Sequence, residues 1–332
     1  MRPEDFRVLL KKENRVHLEA MAQRVHQEHL NHFGRCILLY TPLYISNYCV
    51  NQCVYCGYNA KNKIHRHKLS EEAIEKEAQA IAATGLKHIL LLTGESEKHT
   101  PLSYLKTAVT ILKKYFESIT IEVYPMSEAD YKALIDLGVD GLTLYQETYD
   151  RDQYANLHPF GPKRDYQFRI DSVENACKAG IYHVSMGVLL GLSDYEEDVY
   201  QLGMHIHHLS KKYPGTSFSV SIPRLRPFHG QTFKSYDIRE DDLVHIMLAL
   251  KLFLPHVGIN VSTRESQSFR DQVLPLGVSK LSAGVQTTVG GHSDQAAGDA
   301  QFDIADPRSV DEILDMLSSK GYQGIVKDWV RL

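Results

Sequence analysis

Three of the chain's five cysteines, Cys49, Cys53 and Cys56, fall within eight residues in the order Cys-x3-Cys-x2-Cys. Three thiolates on one short loop can bind three irons of a cubic [4Fe–4S] cluster and leave the fourth iron without a protein ligand. A zinc site generally needs four ligands, so that competing reading requires His65 or His67 to complete the set. Clustering of so scarce a residue favours metal binding or redox chemistry over structural disulfides. Cys36 falls in a predicted strand and Cys177 in a predicted helix, and both read as buried free thiols.

Other polar phrases also follow β-rich runs: Thr93-Gly94-Glu95, Gln146-Glu147-Thr148, Arg224-Leu225-Arg226 and Ser262-Thr263-Arg264-Glu265. Backbone oxygens and a carboxylate, as in 93–95, are acceptors suited to an ammonium group. Arg169 can grip a carboxylate through two parallel hydrogen bonds, with Arg164 as its rival. An arginine such as Arg264 pointing into a cavity is costly unless an anion meets it. Of Arg224 and Arg226, one is expected to line the cavity and the other to pair with carboxylates on its rim. The histidines are scattered, and His205, His207 and His208 read as surface or core-edge residues.

The elements that must position these groups alternate in two beats, short β-rich runs and longer amphipathic stretches. Strands are predicted at 36–40, 88–92, 119–123, 140–144, 183–189, 217–222, 258–262 and 279–283. Helices are predicted from Ser70, from Thr100 with Pro101 at the first helical position, and over 127–137, 165–179, 195–211, 239–253, 266–274 and 309–319. Gly85, Gly138, Gly180 and Gly321 supply helix stops. Eight such units fit an α/β fold of the (β/α)8, TIM-barrel type, and no G-x-G-x-x-G follows the first strand to favour a dinucleotide-binding sheet. In a parallel barrel the carboxyl ends of all strands share one face, so one cavity would collect every phrase above. Residues 1–34, with Leu9, Leu10, Leu18, Met21 and Val25 at roughly helical spacing, form an N-terminal helical segment. Residues 35–332 form the barrel and a C-terminal tail that closes one end.

Composition narrows the classes further. The 332 residues carry 37 Lys+Arg against 41 Asp+Glu, and 43% are hydrophobic. That excludes a disordered chain, a collagen-like fibre and a disulfide-dense scaffold. Near-neutral charge gives no reason to expect nucleic acid as a partner. No apolar run reaches the roughly 18 residues that span a bilayer, and Met1–Glu19 lacks a signal peptide's apolar core. A cytoplasmic protein without membrane contact is expected.

With aromatic Tyr55 before its last cysteine, the triplet resembles the signature of the radical S-adenosylmethionine (SAM) superfamily. Tyr48, Gly57-Tyr58, Arg224-Leu225-Arg226-Pro227, Ser262-Thr263-Arg264-Glu265-Ser266, Gly290-Gly291 and Lys327-Asp328-Trp329 resemble its aromatic amino-acid lyase branch. The likeness is nearest to the tyrosine lyases that make 2-iminoacetate for the thiazole of thiamine, and it runs from about Tyr40 to Trp329. It implies a [4Fe–4S] cluster on Cys49, Cys53 and Cys56, whose open iron chelates SAM. It further implies that Thr93, Gly94, Glu95, Glu147, Arg169 and Tyr55 flank SAM, and that Arg264 with Ser262 holds the substrate carboxylate.

The implied reaction cleaves Cα–Cβ of L-tyrosine to 2-iminoacetate and p-cresol, with 5′-deoxyadenosine and methionine as co-products. The implied partners are an external electron donor of flavodoxin or ferredoxin type and a thiazole synthase. Two related readings are a tryptophan lyase and a hydrogenase-maturation-type tyrosine lyase without its second cluster, since no cysteine follows Cys177. The non-enzymatic reading is an iron–sulfur or zinc protein that uses the triplet structurally or to carry electrons.

Overall fold

In the computed structural model, residues 1–226, 235–293 and 299–327 are described. The β-rich runs become parallel strands β1 (Cys36–Ser46), β2 (His88–Thr93), β3 (Ser118–Glu122), β4 (Gly141–Glu147), β5 (His183–Val188), β6 (Ser217–Ser221), β7 (Gly258–Val261) and β8 (Val278–Ser282). Each pairs with the next, and β1 pairs with both β2 and β8, so the sheet closes on itself as a barrel. The expected (β/α)8 architecture is what the chain adopts. β1 is longer than expected, because Thr41–Ser46 continue the ladder along Ile89–Thr93 of β2.

The helices are α1 (Pro3–Leu10), α2 (Leu18–Phe33), α3 (Glu71–Ala82), α4 (Leu102–Leu112), α5 (Glu128–Ile135), α6 (Arg151–Leu157), α7 (Tyr166–Lys178), α8 (Tyr195–Lys212), α9 (Glu240–Phe253), α10 (Gln267–Gln272) and α11 (Val310–Ser319). Their starts are set locally. Ser70, Ser127, Asp150, Asp165, Asp194, Ser266 and Ser309 each accept a backbone N–H of the following turn, which satisfies an otherwise orphaned donor. Pro101 is one position off its expected place: it stands before α4 with extended backbone, and Leu102 opens the helix.

Two elements were not expected. α6 begins where Asp150 caps Asp152 and Gln153 after β4. A short strand, β9 (Gln323–Ile325), lies parallel to Cys36–Leu38 at the foot of β1, and the Lys87 N–H donates to Val326 O beneath β2. The rest of the expected C-terminal closure, 328–332, falls outside the described residues, as do Pro227, Asp328 and Trp329.

The N-terminal helices pack on the outside of the barrel. The Phe6 ring stacks on Phe253 of α9 at 4.3 Å between centroids. Among the described residues no helix is long and apolar enough to cross a membrane.

Candidate active site

A cavity of about 220 Å³ opens at the carboxyl ends of the strands, and the phrases singled out above converge on it. Its lining includes Cys49, Cys53, Cys56, Tyr55, Thr93, Gly94, Glu95, Glu147, Arg169, Ser262 and Arg264, so all the expected site residues meet in one place. Arg164, the rival of Arg169, is exposed.

The cysteine loop leaves the end of β1 and is tied down along its whole length. Arg66 donates to the carbonyls of Asn47 (2.6 Å), Tyr58 (3.0 Å) and Asn59 (2.7 Å). The Val54 N–H donates to Leu157 O at 3.1 Å, so the unexpected α6 is what anchors the middle of the loop. Gly94 must be glycine here, because a Cβ would stand 2.4 Å from Tyr48 O, where the loop crosses the end of β2. The Val50 N–H donates to Glu95 O at 2.9 Å, and Asn51 Nδ2 donates to Glu95 Oε2 at 2.7 Å, joining the Thr-Gly-Glu phrase to the loop.

All three thiols are free. Burial, and then the neighbouring sulfurs and carboxylate, push the Cys53 and Cys56 thiols above their ordinary value, while the Tyr58 N–H points at the Cys56 sulfur. Among the described residues no three His, Cys, Asp or Glu side chains converge tightly enough to hold a single metal ion. Three thiols lining one cavity suit a cluster, in which each binds a different iron. Beside them the Thr93 hydroxyl is buried without a hydrogen-bond partner among the described residues, although it lines the cavity. An orphan of that kind is costly until a polar ligand meets it. The donor set therefore fits an iron–sulfur cluster with a polar ligand alongside.

Glu147 ends β4 just after an irregularity in the β4–β5 register and has φ +72°, the only left-handed non-glycine among the described residues. Strain of this type concentrates at sites the surrounding structure over-determines. Here the constraint is ionic: Lys163 Nζ lies 2.6 Å from Glu147 Oε1, and Arg169 Nη2 lies 3.8 Å away. Burial alone would lower the Lys163 pKa, yet the net effect of its surroundings, Glu147 foremost among the groups that raise it, holds the ammonium above its ordinary value. Arg169 Nε donates to Tyr145 O at 2.7 Å, fixing the plane of its guanidinium at the cavity wall.

Tyr55 is held by its hydroxyl. His158 Nδ1 donates to Tyr154 O at 2.7 Å, which leaves Nε2 to accept from Tyr55 Oη at 2.7 Å. Burial, followed by the charge of Lys163, pushes His158 down to about 2 and keeps it neutral. The Tyr55 ring is thus a fixed wall beside the cysteines, and its hydroxyl is already engaged.

Across the cavity, Arg264 follows β7 with its guanidinium 3.5 Å from the centre of the Phe302 ring. Among the described residues no carboxylate pairs with it, and burial pulls its pKa below the ordinary value. Its neighbour Glu265 is spoken for. Arg224 Nε donates to Glu265 Oε1 at 3.0 Å, and Arg226 Nη2 lies 3.4 Å from Oε2. Both arginines therefore meet a carboxylate, and Arg226 also lines the cavity and donates to Arg264 O. Phe302 is presented by the segment after β8. Asp306 in that segment is buried between Arg270 of α10 and Arg308, whose Nη2 is 2.7 Å from Asp306 Oδ2.

Lys163, Asn51 and Glu122 were not singled out from the sequence. Glu122 is the last residue of β3, and burial, then the adjacent Glu147 charge, push its carboxyl up to about 7. A carboxyl raised on folding adds stability below its unfolded pKa, and that contribution is lost as pH rises through the folded value. Without SAM and substrate, Glu122→Gln should therefore flatten the decline of Tm between about pH 5 and pH 8 relative to the unsubstituted protein. Parallel Tm curves from differential scanning calorimetry would show that Glu122 titrates ordinarily.

The chain is similar to known proteins along most of its length. The model of the Radical SAM superfamily matches residues 43–203, and that of the Biotin and Thiamin Synthesis associated domain matches residues 221–323. The 2-iminoacetate synthase of Salmonella typhimurium (strain LT2) is 37% identical over 327 residues, covering 98% of this chain and 87% of the relative. That of Escherichia coli (strain K12) gives the same values. Among solved structures, HydG, a maturase of the [FeFe]-hydrogenase, superposes with a TM-score of 0.93 at 32% identity, covering 98% of this chain and 73% of that one.

Proposed function

The chain belongs to the 2-iminoacetate synthase family of radical SAM enzymes, and from that premise we propose that it cleaves the Cα–Cβ bond of L-tyrosine. It is a carbon–carbon lyase-type enzyme that uses a [4Fe–4S] cluster and SAM. The proposed reaction takes L-tyrosine, SAM, two electrons and one proton to 2-iminoacetate, p-cresol, 5′-deoxyadenosine and methionine, one electron cleaving SAM and the second, with the proton, completing p-cresol. The single observation that carries it is Arg264, a cavity arginine without a carboxylate partner among the described residues, sharing one space with the cysteine triplet.

Cys49, Cys53 and Cys56 would hold the cluster, and Thr93, Gly94, Glu95, Glu147, Arg169 and Tyr55 would hold SAM. When bound, these groups supply the 5′-deoxyadenosyl radical. The chain's own part is placement. Arg264 meets the tyrosine carboxylate with its planar donor pair, and Ser262 adds a hydroxyl beside it. Fixing the carboxylate fixes the neighbouring amine, which is where hydrogen is lost in this family. Phe302, stacked on Arg264, limits the freedom of the guanidinium and helps keep water from the site.

An external electron donor of flavodoxin or ferredoxin type would supply both electrons. A thiazole synthase would receive the short-lived imine.

The test is an anaerobic incubation of reconstituted protein with SAM, reductant and each aromatic amino acid. Tyrosine should release p-cresol, and the imine should appear as glyoxylate and ammonia. An indole product from tryptophan with no p-cresol from tyrosine would select a tryptophan lyase instead.

A further inference from the structure

We propose that the floor of the cavity is a subsite for the aromatic hydroxyl of the substrate, formed by Asn260 on β7 and Lys280 on β8. The proposal rests on the tyrosine reading above and adds the residues that would recognise the phenol. Asn260 and Lys280 are direct partners across the β7–β8 ladder, and both line the cavity.

The amide of Asn260 is oriented by two bonds, from Nδ2 to Ser185 Oγ at 2.9 Å and to Ser219 Oγ at 3.1 Å. Its Oδ1 is buried with no hydrogen-bond partner among the described residues, on a residue only 8% exposed. A buried amide oxygen left dry is uncommon and costly. Lys280 stands alongside with its ammonium 3.4 Å from His88 Nε2 and 4.7 Å from the centre of the Tyr40 ring. One atom that can only accept and one group that can only donate are what a phenol needs, since its hydroxyl does both.

Depth agrees. Ser262 lies two residues beyond Asn260, roughly 6.6 Å along the strand direction. That is about the reach from the α-carbon of tyrosine to its hydroxyl, so a carboxylate at Ser262 and Arg264 sets the phenol at the Asn260 layer. The wall between the two is aromatic. The Tyr145 ring lies over Gly187, where a Cβ would come within 2.7 Å of a ring carbon, so glycine there makes room for the ring. The phenol O–H would donate to Asn260 Oδ1, and its oxygen would accept from Lys280. Phenylalanine would leave Asn260 Oδ1 dry, and a site built for a hydroxyl rejects the analogue lacking it.

The experiment is calorimetric titration of anaerobically reconstituted protein, with SAM present, by tyrosine, phenylalanine and O-methyltyrosine, together with p-cresol release from tyrosine. The unsubstituted protein should bind tyrosine roughly a hundredfold or more tighter than phenylalanine. Asn260→Leu and Lys280→Met should each cut that ratio by roughly tenfold or more, mainly by weakening tyrosine. A merely structural role would weaken both ligands alike, and an unchanged ratio in both variants overturns the subsite. Should neither variant load iron, the unsubstituted protein still decides. Roughly tenfold weaker binding of O-methyltyrosine supports the subsite, and equal binding of tyrosine and phenylalanine overturns it. Absence of p-cresol from the unsubstituted protein removes the tyrosine reading and the subsite with it, whereas p-cresol with an unchanged ratio removes the subsite alone.

Discussion

Cys53→Ala should abolish p-cresol formation and SAM cleavage together, with iron in the reconstituted protein falling from about four per chain to near none. The size of the effect follows from the absence of a substitute. Cys53 is 6% exposed and packs against Leu157, Leu189 and Leu192, none of which can bind iron. Cys49→Ala and Cys56→Ala should behave the same way. Cys36→Ala and Cys177→Ala are the controls and should keep their iron. Cys36 sits at the foot of β1 beside β9, at the opposite end of the strand from the loop. Cys177 lies inside α7, where burial first of all pushes its thiol up to about 12 and leaves it inert. Iron analysis and the visible spectrum of each variant decide the matter. An iron-loaded, active Cys53→Ala protein would remove the triplet from the site.

The second large effect is expected at Arg264. Arg264→Ala should lower p-cresol formation on the order of a hundredfold or more while iron loading stays intact. SAM cleavage should fall much less, so that 5′-deoxyadenosine accumulates without matching p-cresol. The reason is aim: without the anchored carboxylate the amine is no longer delivered to one position, and small displacements of a reacting atom are expensive. Removing a buried cation that pairs with no described carboxylate should not unfold the chain, because burial already disfavours its charge. Arg264→Lys should recover only part of the loss, since an ammonium cannot reproduce a planar two-point grip. Quantifying both products in the same reaction separates the outcomes, and proportional losses of the two would assign Arg264 to SAM instead.

Most of this site could be read from local sequence because its parts sit at the ends of strands. Runs such as His88–Thr93 declare themselves by composition, and Thr93, Glu147, Ser262 and Arg264 then take their places at one rim. The triplet is also local, since its chemistry depends on spacing within one loop. Lys163 escaped because nothing beside it marks a site. It reaches Glu147 only after α6 and the turn at Gly161, where a Cβ would collide with Asn51.

Glu122 escaped for a different reason. As the last residue of an alternating strand it reads equally well as a rim charge facing water, and only the closed barrel turns it toward Glu147. β9 was invisible because three residues of modest strand character acquire a partner only at the foot of β1, almost a full chain length away.

That last pairing carries a consequence for how the protein is made. β1 emerges early in synthesis, yet its ladders to β8 and β9 involve residues from 278 to 325, among the most distant contacts in the fold. Contacts of such separation form late, after the intervening loop entropy has been overcome. The cysteine loop springs directly from β1, so its thiols leave the ribosome long before the wall that shelters them has closed. Throughout that interval they are accessible to oxidants and to competing metals, with the Glu95 phrase after β2, which takes the Val50 N–H, and then α6, which pins Val54, the later elements that order them. Iron delivery is therefore best timed to the released, closed chain, and expression under oxygen with scarce iron should yield folded barrels whose triplet has been lost to oxidation.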